Sequence, residues 1–145
     1  MIHIIKTLDD PYLKYLDEDP IYPHIPKEEK ITGSRVAFLL KENDTVNAVT
    51  CIAFSKNIPT FIDELDDTSD SEVNAIFYSI WSNVTGGGSE LLLKSVSYIR
   101  ENMDNVDKVY TLSPKTKIAQ RFHLKNGAKI YRINEKTINF YYEKL

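Results

Sequence analysis

His123 is one of three histidines in a chain of 145 residues, and it stands four residues before Gly127 in "RFHLKNGAKIYRIN" (121–134). An imidazole titrates near neutral pH, so it can hold or move a proton where most side chains are fixed in one state. A lone histidine at the margin of an apolar stripe more often bonds a backbone carbonyl, so chemistry here needs neighbours. Two stretches offer them. "NVTGGGSE" (83–90) lies between an expected strand and an expected helix. Its glycines let the backbone approach a ligand closely, and the helix that follows presents unpaired amides to phosphate oxygens. It is not a Walker loop, because no Gly-Lys-Ser/Thr follows, nor a dinucleotide fingerprint. "TLSP" (111–114) ends the next strand. Taken alone, Ser113 before Pro114 reads as an ordinary helix start, with serine capping and proline in the first turn. No Gly-x-Ser-x-Gly elbow is present to suggest a hydrolase. If strand and helix ends meet, Ser113 and His123 both face the glycine loop, and a phosphate cradle, a hydroxyl and an imidazole share one cleft.

The elements that must position these groups follow from pattern. "IHIIK" reads as a strand and "DDPYLKYLDED" as a helical segment with Pro11 in its first turn. Residues 18–34, with three prolines, read as an ordered loop holding at most a short helix. "RVAFLLK" and "VNAVTCIAF" form a hairpin around Asn43-Asp44, and "NAIFYSIW" is apolar enough to be a central strand. Leu92, Val96, Ile99 and Met103 recur at helical spacing after the glycines. "DKVYTLS" is a further strand. "PKTKIAQRFHLKN" is a short helix with Ile118, Ala119 and Phe122 as its apolar stripe, ended by Gly127 in the left-handed region. "AKIYRIN" and "TINFYYEKL" close the chain as a strand pair joined through Glu135-Lys136. The order β, helical, β-β-β, α, β, α, β-β makes this an α/β chain with one main sheet, read as a single domain over 1–145.

Composition narrows the function classes. Apolar residues are 42% and charged residues 27%, as in soluble globular domains. A net charge of −3 leaves no basic surplus for neutralising phosphates, which argues against nucleic acid as partner. Cys51, the single cysteine, has no partner for an internal disulfide, and no Cys/His group has zinc spacing, so no metal is expected. The start "MIHIIKTLDD" lacks a cationic leader with a long apolar run, so neither signal peptide nor membrane span is expected and the cytoplasm is the expected location. The Tyr-rich "NFYYEKL" could serve as an edge strand pairing with a second copy, which would make a homodimer.

The sequence of parts resembles the GNAT (acyl-CoA N-acyltransferase) fold, whose mixed central sheet carries helices on both faces. That family's acyl-CoA loop commonly reads Gln/Arg-x-x-Gly-x-Gly/Ala, and Asn83-Val84-Thr85-Gly86-Gly87-Gly88 matches it except at Asn83. Most such enzymes carry Phe-Tyr on the last helix, where this chain has Phe122-His123. Phe-His occurs in a branch with the same catalytic fold, malonyl-CoA decarboxylase. "AFSKNIP" (53–59), "AIFYSI" (75–80), "TLSP" (111–114), "FHLKNGAKIYRIN" (122–134) and "INFYYEKL" (138–145) are similar to that family's segments, in its order. In that family a long helical insertion separates "LSP" from "FH"; here nine residues lie between Ser113 and His123, a compact form.

By position, the resemblance implies that Ser113 and His123 are the catalytic pair and that Tyr142 lies near the active site. It also implies that the loop of Asn83, Thr85, Gly86, Gly87, Gly88 and Ser89 contacts the phosphates of coenzyme A. The implied reaction is loss of CO₂ from malonyl-CoA or a related malonyl thioester to give acetyl-CoA. Coenzyme A then enters as part of the substrate, and neither metal nor prosthetic group is needed, since the thioester is the electron sink. Charge gathers on the thioester oxygen, where a preorganised donor is worth about 3–4 kcal/mol. A neutral-range pKa would suit His123 both for donating to that oxygen and for protonating the carbon. Ser113 would fix the malonyl group's rotation so that the breaking bond aligns with the thioester π-system. Tyr142 shares strand parity with Ile138 and Phe140 and would add a further hydroxyl. Two alternatives stand beside this reading: an N-acyltransferase using acetyl-CoA, and a non-catalytic CoA-binding or interaction domain.

Overall fold

The computed structural model describes residues 1–65 and 73–143; Lys144 and Leu145, the end of the last expected strand, lie outside them. Eight strands form one mixed sheet: β1 (Ile2–Ile5), β2 (Arg35–Glu42), β3 (Thr45–Ser55), β4 (Val73–Ser82), β5 (Val106–Thr111), β6 (Ser113–Pro114), β7 (Lys129–Ile133) and β8 (Thr137–Tyr142). Two α-helices, α1 (Gly87–Asn102) and α2 (Lys117–Lys125), follow β4 and β6. The sheet order is β1-β2-β3-β4-β5-β8-β6, with β7 on the other side of β8. Only the β4–β5 pair is parallel among the described strands, because α1 makes the crossover between them. The other neighbours are antiparallel, and short turns join two of these pairs, β2–β3 and β7–β8. At the β2–β3 turn Asn43 takes φ 54°, a left-handed conformation that asparagine tolerates.

Period-two alternation sorts the apolar side chains onto two faces. On one, Leu91, Leu92, Val96 and Ile99 of α1 pack with Phe38, Ile52, Phe77, Ile138 and Phe140 of the sheet. On the other, Leu13, Leu16, Ile31 and Leu65 cover Leu39, Val49, Cys51, Ile76 and Tyr78. Both α-helices thus share a face, and three 3-10 segments (Leu13–Glu18, Lys27–Ile31, Ile62–Glu64) cover the opposite one. The first is the expected N-terminal helical segment in its tighter form. Its apolar residues Leu13 and Leu16 sit at i and i+3, the spacing that a 3-10 helix superimposes on one side.

A buried ion pair ties this second layer to the sheet. Asp19 and Lys30 are each 1% exposed, and Lys30 Nζ lies 3.2 Å from Asp19 Oδ2 while donating to the Leu16 carbonyl at 3.0 Å. Asp19 Oδ1 accepts from the Ile21 and Tyr22 amides and from Ser79 Oγ of β4 at 2.7 Å. Leaving either charge alone in this setting costs about 3–5 kcal/mol.

Two sequence readings are corrected at the chain's C-terminal half. Ser113 and Pro114 do not begin a helix; they form β6, paired with Ile138 and Thr137. Thr116 caps α2 instead, its Oγ1 accepting from the Ala119 amide at 3.2 Å. With the start moved to Lys117, the inward face runs through Ala119, Phe122 and His123, and Ile118 is 81% exposed. The strand carrying "NFYY" is also not an edge: β8 has β5 and β6 on one side and β7 on the other. The edge that strand was expected to offer a second copy belongs to β7.

Candidate functional site

β4 and β5 stay paired as far as Phe77 and Thr111, with Leu112 N donating to the Phe77 carbonyl at 2.9 Å. Beyond that they part. Against β3 the register steps from Ile52↔Phe77 to Cys51↔Ser79, so Tyr78 is an extra residue, a β-bulge that bends β4. On the other side the chain turns away through β6 to join β8. The gap opens at the carboxyl ends of the parallel pair, where ligands of open α/β sheets bind. It holds a cavity of about 580 Å³ walled by Phe77–Ser82, Leu112–Pro114, Gly88 and Leu92 of α1, and Phe122 and His123 of α2. Pro20 and Ile21 close its far end from the opposite face of the sheet.

The structure brings Ser113 and His123 into this one cavity, as the meeting of strand and helix ends required. His123 is 4% exposed, stacked on Phe140 at 5.0 Å, and its Nδ1 lies 2.7 Å from the Tyr142 hydroxyl. Burial pushes its pKa down to about 4, so the ring is neutral at physiological pH. Burial also raises the Tyr142 phenol above its usual range, so it keeps its proton. That phenol has no other hydrogen-bond partner among the described residues, so its O–H donates to Nδ1. A neutral imidazole carries one N–H, and here it is on Nε2. His123 therefore offers the cavity a neutral donor. With its pKa near 4, the ring carries no second proton at neutral pH.

Tyr142 itself is 2% exposed and does not line the cavity, so it stands behind His123 and sets its tautomer. Ser113 has a similar support that sequence reasoning missed. Thr111 Oγ1 accepts from the Phe140 amide at 3.1 Å and lies 2.7 Å from Ser113 Oγ. With one lone pair held by that amide, Thr111 Oγ1–H can donate a hydrogen bond to Ser113 Oγ, which frees the Ser113 O–H to donate into the cavity. Strand parity was the available signal, because residues 111 and 113 lie on one side of an extended chain. Asn139, fully buried, holds the same stretch by donating to the Thr111 and Pro59 carbonyls.

The glycine loop stands at the cavity's side. Gly86 caps α1 at φ 80°, and Gly87 and Gly88 form the buried first turn, which leaves amides without intrahelical partners. A Cβ on Gly87 would meet Ser82 Oγ at 2.6 Å, so close packing requires glycine there, whereas one on Gly88 would meet Phe122 at 3.4 Å, an ordinary contact. Gly88 alone of the loop lines the cavity. Asn83 and Thr85 are exposed; Asn83 anchors the loop through the Val46 and Asn47 carbonyls. Ser89 Oγ accepts from Asn126 Nδ2 at 3.1 Å, which links α1 to α2.

No cluster of metal-ligating side chains occurs among the described residues, and none of their helices is long and apolar enough to cross a membrane. No family model and no curated protein matches the sequence. Solved structures do match in three dimensions. Malonyl-CoA decarboxylase from Cupriavidus metallidurans superposes with a TM-score of 0.74 at 14% identity, covering 98% of this chain and 60% of its own. An acetyltransferase from Bacillus subtilis in complex with CoA gives 0.67 at 13% identity, with 99% and 98% covered. The PaiA N-acetyltransferase from Thermoplasma acidophilum, in complex with coenzyme A, gives 0.65 at 14% identity, with 99% of each chain covered. This chain spans about 60% of the decarboxylase's length. Its mixed sheet, split between β4 and β5 and flanked by helices, is the GNAT acyltransferase fold.

Proposed function

We propose that the cavity binds an acyl-CoA thioester and that the protein decarboxylates malonyl-CoA, or a related malonyl thioester, to acetyl-CoA and CO₂. The observation that carries this reading is the proton inventory of the cavity. Its described lining holds no Asp, Glu, Lys or Arg, and among its polar groups His123 Nε2 and Ser113 Oγ, backed by Tyr142 and Thr111, can both act as donors. Acyl transfer to an amine needs a group that takes a proton away. Decarboxylation needs donors where charge arrives.

Breaking the bond from C2 to the carboxyl carbon sends its electron pair into the thioester, and CO₂ leaves. The resulting enolate oxygen accepts from His123 Nε2–H and Ser113 Oγ–H, held in place before the reaction by Tyr142 and Thr111. A neutral histidine polarising a carbonyl has precedent in enzymes where the imidazolium form is suppressed. C2 then takes one solvent-exchangeable proton. The apolar walls strip water from the malonyl carboxylate, whose charge moves to the donor end as CO₂ departs. Amides at the start of α1 suit the phosphates of coenzyme A. Past Phe77 the β5-facing edge of β4 is open, and it suits the amides of a pantetheine arm. Nothing in the reading calls for a metal or prosthetic group, and we place the protein in the cytoplasm.

Acyl transfer from acetyl-CoA remains the second reading, favoured by Ser79. It lines the cavity's far end and donates to the buried Asp19, so its oxygen can accept from an incoming amine. The two separate in one assay of purified protein, with products resolved by mass. Malonyl-CoA without any amine should give acetyl-CoA, and Ser113→Ala should slow this by about 10²–10³-fold. Unchanged malonyl-CoA, together with acetyl groups moving from acetyl-CoA to a polyamine, would establish the transferase instead.

A further inference from the structure

Charge is distributed unevenly along the chain. Between Lys108 and Asn134 there are five lysines, two arginines and no acid, so this segment carries +7 while the remainder carries −10, in a total of −3. Lys117, Arg121 and Lys125 of α2 recur at i, i+4 and i+8 and are all exposed, which puts them in one stripe. None of the three has an ion-pair partner among the described residues, whereas Lys129 is paired with Glu143 and Lys115 donates to the Asn134 carbonyl. Ile118, 81% exposed, and Leu124, 48% exposed, lie beside the stripe.

Such an arrangement works against the helix that carries it. Like charges four residues apart repel, and Lys117 sits in the first turn, where the helix dipole is already positive. What offsets that cost lies outside α2. The same helix walls the cavity through Thr116, Ile118, Ala119 and Phe122, so the cationic stripe borders the cavity's mouth.

We infer that this face docks a small acidic carrier protein, which presents the acyl group to the cavity as a phosphopantetheine thioester. The inference rests on the thioester reading above and specifies the form in which the thioester arrives. Coenzyme A and a loaded carrier share the pantetheine arm and differ in what lies beyond it, a nucleotide or an acidic protein surface. The loop beside the cavity, Ser82 to Leu93, has no cation, and Lys94 is held by Glu90 at 3.0 Å. Cations are instead strung along about 12 Å of α2, the rise of eight helical residues. That length is suited to several carboxylates on a protein surface. Exposed Ile118 and Leu124 supply the apolar contacts that such an interface needs beside its charges.

The test compares three substrates: malonyl-pantetheine, malonyl-CoA and an acidic acyl carrier protein loaded with malonyl-phosphopantetheine. The native chain and Lys117→Glu/Arg121→Glu/Lys125→Glu are assayed at low and high salt, with folding checked by circular dichroism. The expected result is a loss of about tenfold or more in kcat/KM for the carrier substrate at low salt. The two small thioesters should change less than about twofold, because they do not touch the stripe. A fall with malonyl-CoA that matches the carrier and spares malonyl-pantetheine would make the stripe a nucleotide-phosphate site and overturn the inference. Equal carrier rates in native and variant chains would also overturn it. Fluorescence anisotropy of the loaded carrier reads docking without turnover. If the native chain leaves all three malonyl thioesters intact, the decarboxylase reading fails while carrier binding still decides the surface. A labelled RNA oligomer that binds the stripe more tightly than the carrier would assign it to another partner.

Discussion

Replacing His123 by glutamine removes a buried, neutral, titratable ring while retaining a polar side chain, and the consequence can be worked out from burial. In the unfolded chain a histidine takes up a proton near pH 6.5, but in the fold His123 does so only near pH 4. Between those values the unfolded state binds more protons than the native state, so stability falls as pH falls. The contribution is fully present above about pH 6.5 and lost by about pH 4. A separation of about 2.5 pH units at about 1.36 kcal/mol each gives about 3 kcal/mol. At 4% exposure the ring gets little help from solvent screening. Urea denaturation at pH 7, 6, 5 and 4, extrapolated to water, should show native protein losing about 3 kcal/mol more than His123→Gln over this range. All carboxylates and the other histidines are common to both proteins and cancel in the difference. In the same range, turnover should stay level down to about pH 5, with no acid limb at the usual histidine value. Parallel stability curves would refute the desolvation argument, and with it the neutral Nε2–H donor.

Three further substitutions probe the supports. Tyr142→Phe removes the donor to His123 Nδ1; it should cost about 1–3 kcal/mol in thermal or chemical melts. It should lower kcat by about tenfold, the loss of about 1.4 kcal/mol in the transition state, with KM little changed. Thr111→Val keeps shape but removes the hydroxyl that meets Ser113 Oγ, so kcat should fall about tenfold, and Thr111→Ser should restore most of it, as steady-state kinetics would show. Gly87→Ala drives a methyl against Ser82 Oγ and the Asn47 carbonyl, 2.6 and 3.2 Å from the added carbon. It should destabilise by about 1–3 kcal/mol and weaken CoA binding measured by calorimetry.

Much of the fold was legible because its elements are locally consistent. The hairpin at Asn43-Asp44, the heptad-like apolar positions of α1 and the left-handed Gly127 each follow from residue type and spacing. Parity placed Tyr142 with Ile138 and Phe140, and all three are buried on the α-helical face. What local pattern could not reveal depended on tertiary pairing. Ser113 and Pro114 look like a helix start until β8 is available to pair with them. One short helix can begin at either of two capping residues, and only its packing on the sheet shows that His123 is buried while Ile118 is largely exposed. The bulge at Tyr78 and the ion pair of Asp19 with Lys30 depend on partners distant in sequence. Depth of burial was equally invisible, and it is what holds the His123 ring neutral.

The most direct measurement incubates the native chain and His123→Ala with malonyl-CoA in D₂O and resolves the coenzyme A species by mass. The proposed chemistry requires acetyl-CoA carrying one deuterium on its methyl carbon, formed without any amine acceptor and reduced by at least about tenfold in the variant. Malonyl-CoA recovered intact from the native protein, with coenzyme A still binding, would contradict the proposal that malonyl-CoA is its substrate.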